Sequence, residues 1–491
     1  MKKMNLLAMS LVSAAALSFS SCSSNDDLTS GGGSNQSKVE SFYMTFAVQT
    51  PTSNGTRTQQ PTDANFKVNG SPEETKITSG TFYLVDQETK KTVFTKHITA
   101  SELSNAAPES PTTGTTKSKI EVPVQNVKEN VNYIVYFLAN TTDATPWTSV
   151  FAPTADKFTA DNKFDAGYAT ANNFVMFNQN DKKSKADQYI VSFAAANKNI
   201  ETPASVNKTI MLDRVTARID KPTSVAEING AIPEGATTLQ EKAINDAKEK
   251  VKSITLTKYA ITNLSNKTNI MQKWDNTWAS LQIPTGIEYM QKAEDLGGKY
   301  KYNIDNGAWF TDEAVNYVFE NTETTPTTMY FEYTVALDET KFTDTPDCTD
   351  GTFYRYNGNI YRSIDAIYAA YADQPVLFGG KTAEALKGEL KIAEGKIGAT
   401  EDELAKFRQD NVIEVFVAGK TYYSQIITDH WLGTNTIQRN TVYQLNVKNI
   451  YNVGADVPNG EPDENKPMYY LDVEVSVNPW VLSTQDVNLG E

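Results

Sequence analysis

The feature that most constrains this chain is an alternation of apolar and polar residues that recurs, one strand length at a time, from near its start to near its end. "FYMTFAVQ" sets Phe42, Met44, Phe46 and Val48 on one side of an extended segment and Tyr43, Thr45, Ala47 and Gln49 on the other. Side chains that alternate this way suit a strand with one face against a second layer. "GTFYLVDQETKKTVFTKHI" shows the pattern twice around a polar turn at Gln87–Lys91 and predicts a hairpin. "KIEVPV", "NYIVYFLAN", "NNFVMFNQN" and "QYIVSFA" continue the series. A second series opens at "TIMLDRVTARID", Thr209 to Asp220, and runs through "SITLTKYAI", "TMYFEYTVAL", "TFYRYNGNIYRS", "VIEVFVAGKTYYSQII" and "TVYQLNVKNIY" to "YYLDVEVSVNPWVL". Loops of Thr, Asn, Pro and Asp separate the strands. The reading is an all-β fold of two sandwiches divided near residue 206.

Helices are expected only at the periphery. "LQEKAINDAKEKVK" spaces Leu239, Ala243, Ala247 and Val251 by four, and "TAEALKGELKIAEGKI" carries Leu386, Leu390 and Ile397 in a similar rhythm. "TEDE", Thr400 to Glu403, has the form of a capping box.

Composition narrows the function classes. With 491 residues the chain has room for two to four domains, and 39% hydrophobic content supplies their cores. A formal net charge of −15 argues against an extended nucleic-acid surface, which needs clustered cations. The sequence holds two histidines, His97 and His430, well separated, and none of the nucleophile-elbow, phosphate-loop or zinc-binding motifs. Sixty acidic residues make any carboxylate pair uninformative. Trp274, Trp278 and the tyrosines read as core aromatics more readily than as a sugar platform. No enzyme, cofactor or metal site is read here. Cys348 has no disulfide partner if Cys22 is acylated, and reads as a buried, inert thiol.

The first residues form a processing signal. "MKK" and "NLLAMSLVSAAALSF" make a signal peptide over 1–21, and "FSSC" resembles a bacterial lipoprotein box with Phe19 in place of the usual Leu. Cleavage before Cys22 would leave that residue to carry palmitate-type acyl chains. The competing reading is an ordinary secretory signal followed by a chance cysteine. Residues 22–38 are polar and Gly/Ser-rich, a flexible tether. Its "SNDD" resembles the acidic patch of surface-exported lipoproteins of Bacteroidetes.

The two ends of the remaining chain mirror one another. The strand within 39–49 is followed by the turn "SNGTRTQQP", where Arg57 is the first of only seven arginines. At the other end "YLDVEVSVNPWVLSTQDVNL" puts Leu471, Val473, Val475 and Val477 on one face and bends at Pro479 before Trp480. The loop "NVGADVPNGEPDENKP" precedes it, so this strand is free either to swing out or to pack back.

Taken in order, the lipobox, "NYIVYFLAN", "LDRVTARID", "NYVFENT", "GKTYYSQIITDH" to "IQRNTVYQLNVKNIYNVG" and "VEVSVNPWVLSTQDVNL" resemble the fimbrillins of Bacteroidales. These are the subunits of type V pili, and the resemblance is to the Mfa-type minor-fimbria branch. It implies two transthyretin-like Greek-key sandwiches, at 39–206 and 207–466, and a C-terminal donor strand at 467–491. It further implies export to the outer membrane as a lipoprotein and cleavage between Arg57 and Thr58 by a trypsin-like or arginine-specific protease. Loss of the first strand, with Phe42, Met44, Phe46 and Val48, then opens a groove. The Leu471, Val473, Val475, Val477 and Trp480 strand of a like subunit fills it, building a filament that also holds tip and anchor subunits. The alternatives are a surface glycan-binding lipoprotein, which would stay anchored and monomeric, and a tip or anchor subunit of the pilus.

Overall fold

The structure, a computed structural model, describes residues 41–49, 68–104, 107–108, 118–140, 154–156, 168–182, 184–303, 309–310, 315–374, 376–429, 431–459 and 471–482. The chain is mostly β with few helices, as the alternation predicts.

The first half supplies strands β1 (Phe42–Gln49), β2 (Val68–Gly70), β3 (Gly80–Asp86), β4 (Thr92–Ile98), β5 (Ser118–Val124), β6 (Asn132–Ala139), β7 (Met176–Asn178), β8 (Ile190–Ser192), β9 (Ala204–Ser205) and β10 (Ile210–Arg214). A short helix, α1 (Pro72–Thr75), follows β2. The expected hairpin at Gln87–Lys91 joins β3 to β4. Hydrogen bonds order the main sheet β4–β3–β6–β7–β10–β1–β5, with Ala107–Pro108 beyond β5, β8 added to β6 and β9 to β1. The sheet closes over itself into a sandwich. Phe46 on β1 lies 5.4 Å from Phe82 on β3 and 5.7 Å from Phe137 on β6, ring centroid to centroid, although several strands separate them in the ladder. Phe42, Met44, Phe46, Val48, Phe82, Leu84, Val135 and Phe137 all belong to this core.

The opposite faces of β3 and β6 are buried too. Tyr83, Val85, Ile134, Tyr136 and Leu138 pack with Ile270 and Phe319 from the second half of the chain. This explains why "FYLV" and "YIVYFLA" read as nearly continuous apolar runs: a strand covered on both faces has no solvent side to alternate with.

The second half contributes β11 (Ala217–Asp220), β12 (Val251–Thr262), β13 (Val315–Val318), β14 (Thr328–Leu337), β15 (Phe353–Tyr356), β16 (Glu414–Phe416), β17 (Lys420–Ile426), β18 (Thr441–Ile450) and β19 (Leu471–Leu482). One sheet runs β2–β19–β18–β11–β13, and a second joins Trp309–Phe310, β12, β14 and β17. Ile219, Ile254, Tyr259, Val318, Phe331, Tyr333, Tyr443, Leu445 and Val447 fill the core they share.

Helix α2 (Thr238–Lys250) starts where Thr237 accepts a bond from the Gln240 amide. Its buried residues are Gln240, Ala243, Ile244 and Ala247, whereas Leu239, expected on that face, is 67% exposed. Val251 already belongs to β12. The inward stripe sits one residue further round because Ile244, not Leu239, supplies its largest apolar side chain. Beyond it, α3 (Ile364–Ala370), α4 (Ala383–Leu390) and α5 (Glu401–Asn411) cover β15 and β16 around Ile367, Leu386, Leu404 and Phe407. Helix α4 stops at Leu390 because Lys391 turns to φ +51°, so Ile397 packs from a loop. The capping box at Thr400 is present: its amide donates to Glu403 Oε2 at 3.0 Å, and its hydroxyl accepts from the Glu403 amide. Among the described residues no helix is long and apolar enough to cross a membrane.

Candidate functional site: the first-strand slot and the last strand

Strand β1 is an interior strand. Along one edge it pairs antiparallel with β5, from Phe42 opposite Val124 to Val48 opposite Ser118. Along the other it pairs parallel with β9, Met44 opposite Ala204, and with β10, Val48 opposite Ile210. The Thr45 and Ser205 hydroxyls lie 3.0 Å apart, and the Val206 amide donates to the Thr45 carbonyl. Phe42, Met44, Phe46 and Val48 are all buried, with Met44 fully enclosed. Phe42 sits edge-on to Phe193 at 5.5 Å, and Lys198 Nζ lies over its ring. Burying each of these side chains contributes roughly 1.5–3 kcal/mol before entropy costs.

The topology gives β1 a particular importance. Among the described residues, β5 and Ala107–Pro108 join the rest of the sheet through β1 alone. Taking β1 away would leave an apolar slot with unpaired backbone on both walls, an arrangement that invites a replacement strand.

Strand β19 packs back on its own chain. It pairs antiparallel with β18 from Leu471 opposite Ile450 to Pro479 opposite Thr441. The register sets Val473, Val475 and Val477 opposite Val447, Leu445 and Tyr443, all residues of the second core. Leu471 and Val473 are half-buried against that core. Beyond Pro479, Trp480, Val481 and Leu482 pair parallel with Val68, Asn69 and Gly70 of β2.

Cys22, Arg57, Thr58 and His430 lie outside the described residues. The other six arginines are described, and the fold holds every one. Arg439 pairs with Glu320 at 2.7 Å, with both side chains almost fully buried. Arg355, fully buried, binds Glu414, and Arg408 binds Asp456 at 2.7 Å. Arg362 reaches Asp344 and Glu339.

Arg214 and Arg218 converge on helix α1, a cluster that sequence reasoning missed. Arg214 is fully buried; its Nε donates to the Glu74 carbonyl at 2.7 Å and its other end to Asn440 Oδ1 at 2.7 Å. Burial pushes its guanidinium down to about 10, which leaves it cationic at neutral pH. The Glu74 carboxylate accepts from Arg218, from the Tyr317 hydroxyl at 2.8 Å and from the Ser71 amide at 2.6 Å. Burial, and then the Glu74 charge, push the Tyr317 hydroxyl up, so it stays a donor. The signal was present in "LDRVTARID", whose two arginines four apart had no assigned role.

The remaining candidates are structural. His97 Nδ1 lies 3.0 Å from the Thr81 hydroxyl across the hairpin. Trp274 donates its indole N–H to the Asn180 carbonyl, and Lys185 lies over the Trp278 ring. Cys348 is buried, and that burial pushes its thiol up to about 11.

Residues 414–486, from β16 into the end of the chain, match the family described as major fimbrial subunit protein type IV, fimbrillin, C-terminal. No curated protein matches. Solved structures with similar outlines include a putative cell adhesion protein from Parabacteroides distasonis, 14% identical, covering 90% of this chain and 98% of its own, with a TM-score of 0.42. Another is a putative cell adhesion protein from Bacteroides eggerthii, 12% identical over 90% and 97%, TM-score 0.42. A third is the tip fimbrial protein Mfa3 from Porphyromonas gingivalis with C-terminal truncation, 12% identical over 89% and 100%, TM-score 0.34. At such identities and scores the structural likeness carries no argument. The family match is confined to residues 414–486, the stretch that contains β16, β17, β18 and β19.

Proposed function

We propose that this chain is a fimbrillin, a shaft subunit of a surface fimbrium that polymerises by strand exchange. It is exported as an outer-membrane lipoprotein acylated at Cys22, cut between Arg57 and Thr58, and built into an adhesive filament. Residues 39–206 and 207–466 are its two sandwich domains and 467–491 its donor segment. Neighbouring copies, tip and anchor subunits and an arginine-directed surface protease are its partners.

The observation that carries this reading is the position of β1 between β5 on one side and β9 and β10 on the other. Excising a central strand creates a slot that a second chain can fill, whereas excising an edge strand would not. A donor running in the direction of β1 sets Leu471, Val473, Val475 and Val477 at the spacing of Phe42, Met44, Phe46 and Val48. Because the slot and the donor lie on different parts of the subunit, the contact is head to tail and propagates as an open filament. The arginines support the choice of cut site. A protease that must take a guanidinium into its pocket finds the other six buried or ion-paired in the folded subunit. Lysines outnumber arginines 38 to seven, and several are exposed, so lysine-directed cutting would not be selective in the same way.

The test is treatment of the secreted chain and its Arg57→Ala variant with an arginine-specific protease, read on an unboiled gel. The wild type should lose its first strand and form a ladder, and the variant should do neither. A wild type cut cleanly after Arg57 that stays monomeric at high concentration would refute strand exchange and favour an anchored, glycan-binding role.

A further inference from the structure

The segment that follows the cut site is hydrogen-bonded to the donor strand. We propose that β2 is a clasp that keeps β19 on its own subunit until cleavage after Arg57 loosens it. The inference rests on the strand-exchange reading and adds the control of donor release to it.

Three observations carry it. First, the ladder between β19 and β18 ends at Pro479 opposite Thr441, so among the described residues Trp480–Leu482 are paired by β2 alone. The last described residues of the donor strand are therefore held by Val68, Asn69 and Gly70. Second, β2 is tied at its far end to α1, whose Glu74 is gripped by Arg218 and Tyr317 through its carboxylate and by Arg214 through its carbonyl. Third, its near end continues covalently through residues 50–67, which contain Arg57, into β1, and β1 is clamped in the first core. In the intact chain β2 is thus held through α1 on one side and is covalently continuous with the clamped β1 on the other.

A three-residue parallel pair is weak by itself; a chain anchored beyond both of its ends loses less entropy in forming it than one with a free end. One cut in residues 50–67 leaves β2 with a free amino-terminal arm, and the pair then frays as chain termini do. Trp480–Leu482 lose their partner, and β19 peels from β18 starting at Pro479, which has no N–H to give the ladder. A single hydrolysis so opens the slot and loosens the strand that will fill a neighbour's slot.

The experiment uses the full chain carrying Cys22→Ser, cut with an arginine-specific protease or at an engineered site within 53–61, and held dilute. Amide exchange is measured before and after cutting. Exchange of the 471–482 segment, strongest at 480–482, should accelerate about tenfold, the effect of losing one or two ladder bonds. Unchanged exchange there would overturn the clasp. In a second arm, Asn69→Cys with Val481→Cys links the paired positions. When oxidised, this variant should be cut normally yet ladder at least tenfold more slowly, and reductant should restore the rate. Laddering of the oxidised, cut variant at the wild-type rate also overturns it. Faster exchange without any laddering would keep the clasp and remove strand exchange, so the two failures are distinguishable.

Discussion

Phe46→Ala should damage the precursor and leave the assembled filament intact. Phe46 is 3% exposed and touches Phe82 and Phe137 in the first core. Truncating such a ring removes its burial and leaves a cavity that β3 and β6 cannot close, because both are also packed on their outer faces. The expected loss is about 3–5 kcal/mol of precursor stability. Urea unfolding of the uncut chain, followed by tyrosine and tryptophan fluorescence, reads this as a lower midpoint at constant slope. Strand exchange requires that the filament lack β1, so polymers grown from the variant should dissociate at the same denaturant concentration as wild-type polymers. Phe137→Ala, on a retained strand, should weaken both states. The reasoning is refuted if Phe46→Ala filaments are weakened as much as the precursor, since β1 would then still be in place.

Val475→Asp puts a charge on the donor face opposite Leu445; it should abolish laddering while cleavage proceeds, and equal laddering would contradict the donor assignment. A synthetic peptide covering residues 40–49 should block polymerisation of the cut subunit, because Phe, Met and Phe fill the slot better than the valines of β19. Glu74→Ala removes the carboxylate that Arg218 and Tyr317 share, leaving Arg218 on Asp220, and should cost about 1.5–3 kcal/mol, seen as a lowered thermal midpoint. The Cys348 thiol, with its folded pKa raised from 9.0 to about 11, should resist alkylation in the folded protein at pH 8 and react in urea. Its linkage has a fixed sign: the thiol costs nothing below pH 9, and stability falls from there towards pH 11 as the unfolded chain ionises first.

Much of the fold was legible because strands announce themselves by period two. The hairpin at Gln87–Lys91, the capping box at Thr400 and the inward set Phe42, Met44, Phe46 and Val48 all follow from local rules. Leu239 misled because a four-residue spacing fits two neighbouring helix faces, and only the packing partner chooses between them. Strand β2 was illegible for a different reason. "VNG" is too short to show a period, and its partner lies some four hundred residues away. The grip of Arg214 and Arg218 on Glu74 is likewise a product of topology, which no local pattern encodes. Whether the last strand swings out or packs back could not be read from its alternation, since the same apolar face serves either sheet. In the subunit it lies on β18.

Strand exchange makes its most exposed claim about the composition of the filament. Mass spectrometry of subunits released from purified surface filaments measures that directly. The account predicts a single amino terminus at Thr58 and no peptide from 42–49. Filaments that retain β1 in equal amount with the rest of the chain, acylated at Cys22 or not, would contradict it.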